Sequence, residues 1–228
     1  MKTKLLLLHG ALGSKKQFEP LKDLLSGSFE VYDLNFEGHG GRATDKKFSI
    51  ELFSENVVQF MDENKIEKIN IFGYSMGGYV ALKTAINYPA RIGKIITLGT
   101  KFKWDEASTL KEVGMLNPVT IEEKVPHFAA KLKDEHEPLD WKEVVKKTAE
   151  MMRGLADGKA IKDESIAAII QSVTIGLGSE DRMVSISESE QTANLLPNGK
   201  FMVLHGEPHP FEKVNTDQLC AWIRELFT

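Results

Sequence analysis

The chain of 228 residues contains a single cysteine, Cys220, so no internal disulfide can form and stability must come from packing. It also lacks an excess of either charge: 29 Lys and Arg stand against 33 Asp and Glu, with no basic block, which argues against nucleic acid as a partner. Long hydrophobic runs are missing too. Leu5-Leu6-Leu7-Leu8 is closed by His9-Gly10 and is far too short for a membrane span or a signal sequence. The expected setting is therefore the cytoplasm, without membrane contact, with the mature chain starting near Met1. A monomer or small homo-oligomer acting on a small-molecule substrate is expected. Internal repeats, low-complexity tracts and obvious linkers are absent as well, so the length points to one domain, residues 1–228, around one substantial core. Cys220 lies among Leu219, Ile223 and Leu226, which marks it as a packed helix residue rather than a reactive thiol.

What the chain has is alternation. Short apolar runs at Lys4 to Leu8, Phe29 to Leu34, Lys68 to Phe72, Lys94 to Leu98, Ser172 to Leu177 and Phe201 to Leu204 read as strands, several apolar throughout as strands buried on both faces should be. Helical periodicity fills the intervals. From Ser49, a capping serine, Ile50, Phe53, Val57 and Met61 share one face, and Met76 to Tyr88 carries Val80, Leu82, Ala85 and Ile86. Lys15 to Leu25, Ser187 to Leu196 and Thr216 to Phe227 read likewise. The fold class expected is α/β, a mostly parallel central sheet flanked by helices.

One segment breaks the rhythm. Residues 101–163 hold no convincing strand, are rich in Lys and Glu, and place Phe128, Leu132, Trp141, Val144, Val145, Met151, Met152 and Leu155 at helical intervals. The segment reads as a helical cap inserted into a core made of residues 1–100 and 164–228. Following the strand Lys94 to Leu98, it is expected above the carboxyl edge of the sheet, where open α/β folds bind ligands. Trp104, Met115, Phe128, Met151 and Met152 are its candidates for roofing a site, with Leu12 below.

The chemistry centres on Gly73-Tyr74-Ser75-Met76-Gly77, between the run Ile69-Asn70-Ile71-Phe72 and the helical pattern that ends at Pro89. In a strand-turn-helix setting Gly-x-Ser-x-Gly reads as a nucleophile elbow, a turn so tight that Cβ atoms two positions either side of the serine would meet backbone. A serine hydroxyl needs a base, and the base needs an orienting group. Gly178-Ser179-Glu180-Asp181 and Gly206-Glu207-Pro208-His209-Pro210 each follow a strand and would reach the same sheet edge as Ser75. His209 is preferred over His205 as the base, because Pro208 and Pro210 stiffen its loop and give the ring a defined direction. For the acid, Asp181 and Glu180 are both candidates.

Over essentially its whole length the chain resembles the α/β-hydrolase fold superfamily. The likeness rests on Leu8-His9-Gly10-Ala11-Leu12-Gly13-Ser14 after the first strand, Gly38-His39-Gly40 after the second, the elbow at Ser75, and the Asp and His loops in the order Ser75, Asp181, His209. The resemblance implies that the cap follows the sixth canonical strand of the fold. It favours Asp181, since Gly178, Asp181 and Val184 match the family pattern after that strand. It implies an oxyanion hole of backbone N–H groups from Met76 and Ala11, with Leu12 the alternative to Ala11, and leaves His9 a structural role. The activity implied is cofactor-free cleavage of a small, mainly apolar ester or related acyl compound. Two alternatives stay open: a carbon–carbon bond hydrolase or lyase on the same residues, and a ligand sensor that retains them without turnover. Menaquinone-pathway members carry similar His-Gly-x-Leu-Gly-Ser and Gly-Tyr-Ser-Met-Gly-Gly motifs. Tyr79, however, stands where that group has an arginine for a carboxylated substrate, and a buried Arg153 near Ser75 would be needed in its place.

Other patterns are set aside. Gly38-His39-Gly40-Gly41-Arg42-Ala43 fits a dinucleotide fingerprint, yet the helix that should open there begins only near Ser49. Asn35 and Glu37 depart from the residues usual around Gly-His-Gly, a change expected to touch a turn. No metal site is expected: His127 and His136 are too far apart for a one-face pair, and Asp134-Glu135-His136-Glu137 reads as a solvated face.

Overall fold

A computed structural model describes residues 2–227. Six strands, β1 (Thr3–Leu8), β2 (Phe29–Asp33), β3 (Ile69–Tyr74), β4 (Ile92–Leu98), β5 (Val173–Glu180) and β6 (Gly199–Pro208), form one sheet in the order β2-β1-β3-β4-β5-β6. Every adjacent pair is parallel. The strand order reverses between β1 and β3, so the loops leaving Leu8 and Tyr74 open the crevice at which such sheets take ligands.

The leucine run of β1 shows how the sheet is filled. Side chains alternate across a strand, and Leu5 and Leu7 enter one core while Leu6 and Leu8 enter the other. The first core is covered by α1 (Glu19–Leu25) and by Leu219, Cys220, Trp222 and Ile223 of the terminal helix Thr216–Phe227. The opposite core is covered by α2 (Ile50–Glu63), α3 (Met76–Asn87) and the helix Ile186–Leu195. Ser49 caps α2, its Oγ accepting from the Leu52 N–H at 3.0 Å. The stretch Lys15 to Leu25 differs from a single helix: a 3-10 turn over Lys15–Phe18 leads into α1, with Pro20 in the first turn where it costs no hydrogen bond. Asn35 serves the turn expected of it, donating to Gly40 O at 2.8 Å and accepting from Lys15 N–H at 2.8 Å.

Between β4 and β5 lie α4 (Glu106–Gly114), α5 (Pro118–Lys124), α6 (Pro126–His136), α7 (Trp141–Gly154) and α8 (Asp163–Ala167). Ile121, Ala129, Leu132, Trp141 and Val145 form a small core of this insertion, while Val144, Met151 and Leu155 join the main core below. The helices extend past residue 163, since α8 packs on α3 and on α9 (Ile186–Leu195). The C-terminal helix is α10 (Thr216–Phe227). Among the described residues no helix is long and apolar enough to cross a membrane.

One part of the insertion corrects the expectation from sequence. Asp134 and Glu137 are exposed, but His136 is fully buried. Its Nε2 lies 3.1 Å from Leu12 O, and its Nδ1 accepts from the Gly40 N–H at 3.1 Å. The ring therefore carries its proton on Nε2 and staples the insertion to two core loops. Glu135 adds a hydrogen bond from Ser14. The charged neighbours of His136 hid this role, because α6 turns only one narrow face inward.

Candidate active site

Ser75 stands between β3 and α3 with φ 50° and ψ −116°, a left-handed conformation that only a constrained non-glycine residue adopts. Three contacts hold it there. Its N–H donates to Leu98 O at 2.8 Å, its carbonyl accepts from Thr100 Oγ1 at 2.9 Å, and α3 starts on the next residue. The flanking glycines are obligatory for steric reasons. A Cβ on Gly77 would sit 2.1 Å from Leu8 O, and one on Gly73 would sit 2.5 Å from Gly77 C.

β5 delivers Asp181 and β6 delivers His209. Asp181 Oδ1 accepts from the Met183 and Val184 N–H groups at 2.8 and 3.0 Å, and Oδ2 lies 2.7 Å from His209 Nδ1. With Oδ1 occupied by those two donors, Oδ2 is left to accept a hydrogen bond from Nδ1–H, and the tautomer that carries its proton on Nδ1 leaves Nε2 an acceptor. The Asp181 side chain is 1% exposed and the His209 side chain 10%. Glu180 is exposed and takes no part in this pair, and His205 is an exposed residue within β6, whose ladder runs on to Pro208. Tyr74 supports the loop from below: its hydroxyl donates to His209 O at 2.8 Å, and burial pushes its phenol above the ordinary tyrosine value.

Ser75 and His209 open into one cavity of about 50 Å³, together with Ala11, Met76, Trp104, Met151 and Met152. Among the described residues, Ser75 Oγ makes no hydrogen bond, a common state of a site without substrate. Met76, the first residue of α3, has an N–H without an intrahelical acceptor, and the Ala11 N–H has no backbone partner among the described residues.

Leu12, Met115 and Phe128 are placed elsewhere. Leu12, at φ 60°, packs against both the main core and the small core of the insertion. Met115 follows the end of α4 and is 51% exposed. Phe128 packs with Ile121 and Trp141 in the small core. Sequence reasoning missed Ile50, Tyr79, Lys101, Glu112, Leu155, Met183 and Val184 as lining residues. Met183 and Val184 were within reach of it, because they hold Asp181. Tyr79 accepts from the Ile161 N–H at 2.8 Å through its hydroxyl, and burial raises its phenol to about 12. Arg153 is exposed and lines a different depression.

His9 is buried and lies 2.9 Å from Gly10 O through Nδ1, while Nε2 accepts from the Phe36 N–H at 3.2 Å. Burial pushes its pKa down to about 4, so the neutral ring holds the Ala11 loop to the loop after β2. His39, also buried, packs between His9 and His136 at ring separations of 5.1 and 5.7 Å, and burial holds it well below the ordinary histidine value.

With this geometry in place, the class follows: residues 4–134 match the family model for the alpha/beta hydrolase fold, and the chain belongs to that family. Over 87 residues it is 34% identical to a probable alcohol acetyltransferase of Wickerhamomyces anomalus, covering 37% of this chain and 26% of that protein. It is 30% identical over 96 residues to a putative 2-succinyl-6-hydroxy-2,4-cyclohexadiene-1-carboxylate synthase of Bacillus subtilis, covering 41% and 35% respectively. These matches span about a quarter to a third of the curated relatives' length. Among solved structures, NosK from Streptomyces actuosus superposes with a TM-score of 0.84 at 16% identity, covering 100% of this chain and 98% of that one, a likeness of fold.

Proposed function

We propose that the protein is a serine hydrolase that cleaves a small, mainly apolar ester or related acyl compound, such as a thioester, through an acyl-enzyme. The observation that carries this reading is the 2.7 Å Asp181–His209 hydrogen bond opening into the same cavity as a serine held at φ 50°. Ser75 Oγ attacks the acyl carbon as its proton passes to His209 Nε2, with Asp181 holding the Nδ1 proton and supporting the imidazolium. The developing oxyanion receives the Met76 and Ala11 N–H groups. Collapse of the tetrahedral intermediate breaks the bond to the leaving group, which takes the Nε2 proton. Water then adds to the acyl-enzyme in the same way and releases the acid, or an alcohol takes water's place and a new ester forms. The helical insertion acts as the cap, and the cavity of about 50 Å³ suits a small acyl group. No cofactor enters this scheme. Carbon–carbon cleavage of a carboxylated substrate is the weaker reading, since Arg153 faces away and Tyr79 is bonded to the backbone.

The test is Ser75→Ala with a short-chain chromogenic ester and a fluorophosphonate probe. Turnover should fall by about 10⁴-fold or more and labelling should vanish, with the melting temperature held. A folded Ser75→Ala protein that still turns over the ester would overturn the proposal.

A further inference from the structure

The cavity wall holds an acidic residue, Glu112, that acyl transfer does not use. α4 turns Thr109 and Glu112, one helical turn apart, inward, and both are 4% exposed. An amphipathic cap helix is expected to present apolar residues on that stripe. Glutamate is almost never so buried without a partner. Yet among the described residues the Glu112 side chain makes no hydrogen bond and no ion pair. Lys101, a cation of the same cavity wall, forms no ion pair with it among the described residues; its Nζ lies over the Trp104 ring, 5.8 Å from the centroid. An acidic side chain so little exposed and without a protein partner is a local violation of the usual pattern, and inside a site it points to a ligand.

We propose that Glu112 is a specificity residue that receives a cationic amine on the substrate, so that the preferred acyl compound carries a protonated amino group beyond its scissile bond. The inference rests on the reading of Ser75 as the reacting centre only for the position of the ligand. Apart from Lys101, Tyr79, Ser75 and His209 the wall is largely apolar, with Ile50, Met151 and Leu155 among its members, and suits the carbon stem between the two polar ends. A cation paired with Glu112 in this dry setting gains a charge-assisted hydrogen bond that a neutral isostere cannot make, and the isostere leaves the carboxylate unpaired.

Isosteric pairs that differ by one nitrogen test this. Ethyl 4-(dimethylamino)butanoate is matched with ethyl 5-methylhexanoate, and 2-(dimethylamino)ethyl butanoate with 3-methylbutyl butanoate, so that the cation lies on the acyl or the alcohol side. In at least one pair the amine should be preferred by tenfold or more in kcat/KM. Glu112→Gln should reduce that preference to near unity, and Glu112→Asp should retain part of it. The same discrimination is read without turnover by calorimetric binding of N-[2-(dimethylamino)ethyl]butanamide and N-(3-methylbutyl)butanamide, and of the amide pair matching the acyl side, to Ser75→Ala protein. Absence of turnover with binding discrimination intact would remove the hydrolase reading and keep this one. No preference for the amine in any pair, or an equal loss for both members of a pair on Glu112→Gln, would overturn it.

Discussion

Replacing Asp181 by asparagine should keep the fold and remove most turnover, for reasons visible in its hydrogen bonds. Oδ1 serves the Met183 and Val184 N–H groups at 2.8 and 3.0 Å, and Oδ2 serves His209 Nδ1 at 2.7 Å. An amide has one oxygen and one donor group. With the oxygen kept on the two backbone donors, the NH₂ faces Nδ1, and the imidazole must move its proton to Nε2 to accept it. That tautomer has no lone pair for the Ser75 proton. Flipping the amide restores the tautomer but costs the two backbone bonds. Val184 is buried, so its stranded N–H costs roughly 1–3 kcal/mol, and the Met183 bond adds about 1 kcal/mol. The productive flip is thus disfavoured by about 2–4 kcal/mol, a factor of roughly 30 to 10³. Loss of the carboxylate charge beside the imidazolium adds to this, so kcat on a chromogenic ester should fall by about 10³-fold or more. Steady-state kinetics beside a melting curve measure both parts. A folded Asp181→Asn protein that loses less than tenfold in kcat would refute the assigned roles of this pair.

Gly77→Ala places a methyl 2.1 Å from Leu8 O, a backbone atom that cannot yield, and should cost about 1–3 kcal/mol or more; a melting temperature within 1 °C of the parent would contradict the steric reading. His136→Ala strands the Gly40 N–H and the Leu12 carbonyl at roughly 1–3 kcal/mol each, and should lower the denaturation midpoint and loosen the Ala11 loop; an unchanged midpoint in urea would count against the staple. His9 fixes the sign of a pH effect. Its folded pKa lies near 4, below the ordinary 6.5, so the unfolded chain binds the proton first and stability is lost as pH falls from about 6.5 towards 4, by about 3 kcal/mol at the lower end. Urea titrations at pH 7.5 and 5 should show about 2 kcal/mol of that loss, and equal stabilities would exclude it.

The sheet was legible because strands buried on both faces leave continuous apolar runs, as in Leu5 to Leu8, and because turn chemistry punctuates them. The placement of Ser75, Asp181 and His209 at one edge was legible because a tight turn demands glycines at fixed offsets and because loops after parallel strands share that edge. β6 runs beyond the expected Phe201 to Leu204, since Gly206 and Glu207 resemble a loop in sequence although the ladder continues beside β5. His136 and Glu112 were hidden for a common reason. In a stretch crowded with Lys and Glu, composition speaks for solvent, and only the three-dimensional arrangement reveals which single polar group each helix turns inward.

Tyr74 is the strand neighbour of Ser75, and its hydroxyl grips the main chain of His209. A displacement of β3 therefore carries Ser75 and the ring that takes its proton in the proposed mechanism in the same direction. Their separation is buffered against fluctuations of the scaffold, and whatever flexibility the proposed hydrolase needs for entry of its ligand can reside in the helices overhead without detuning the proposed proton path.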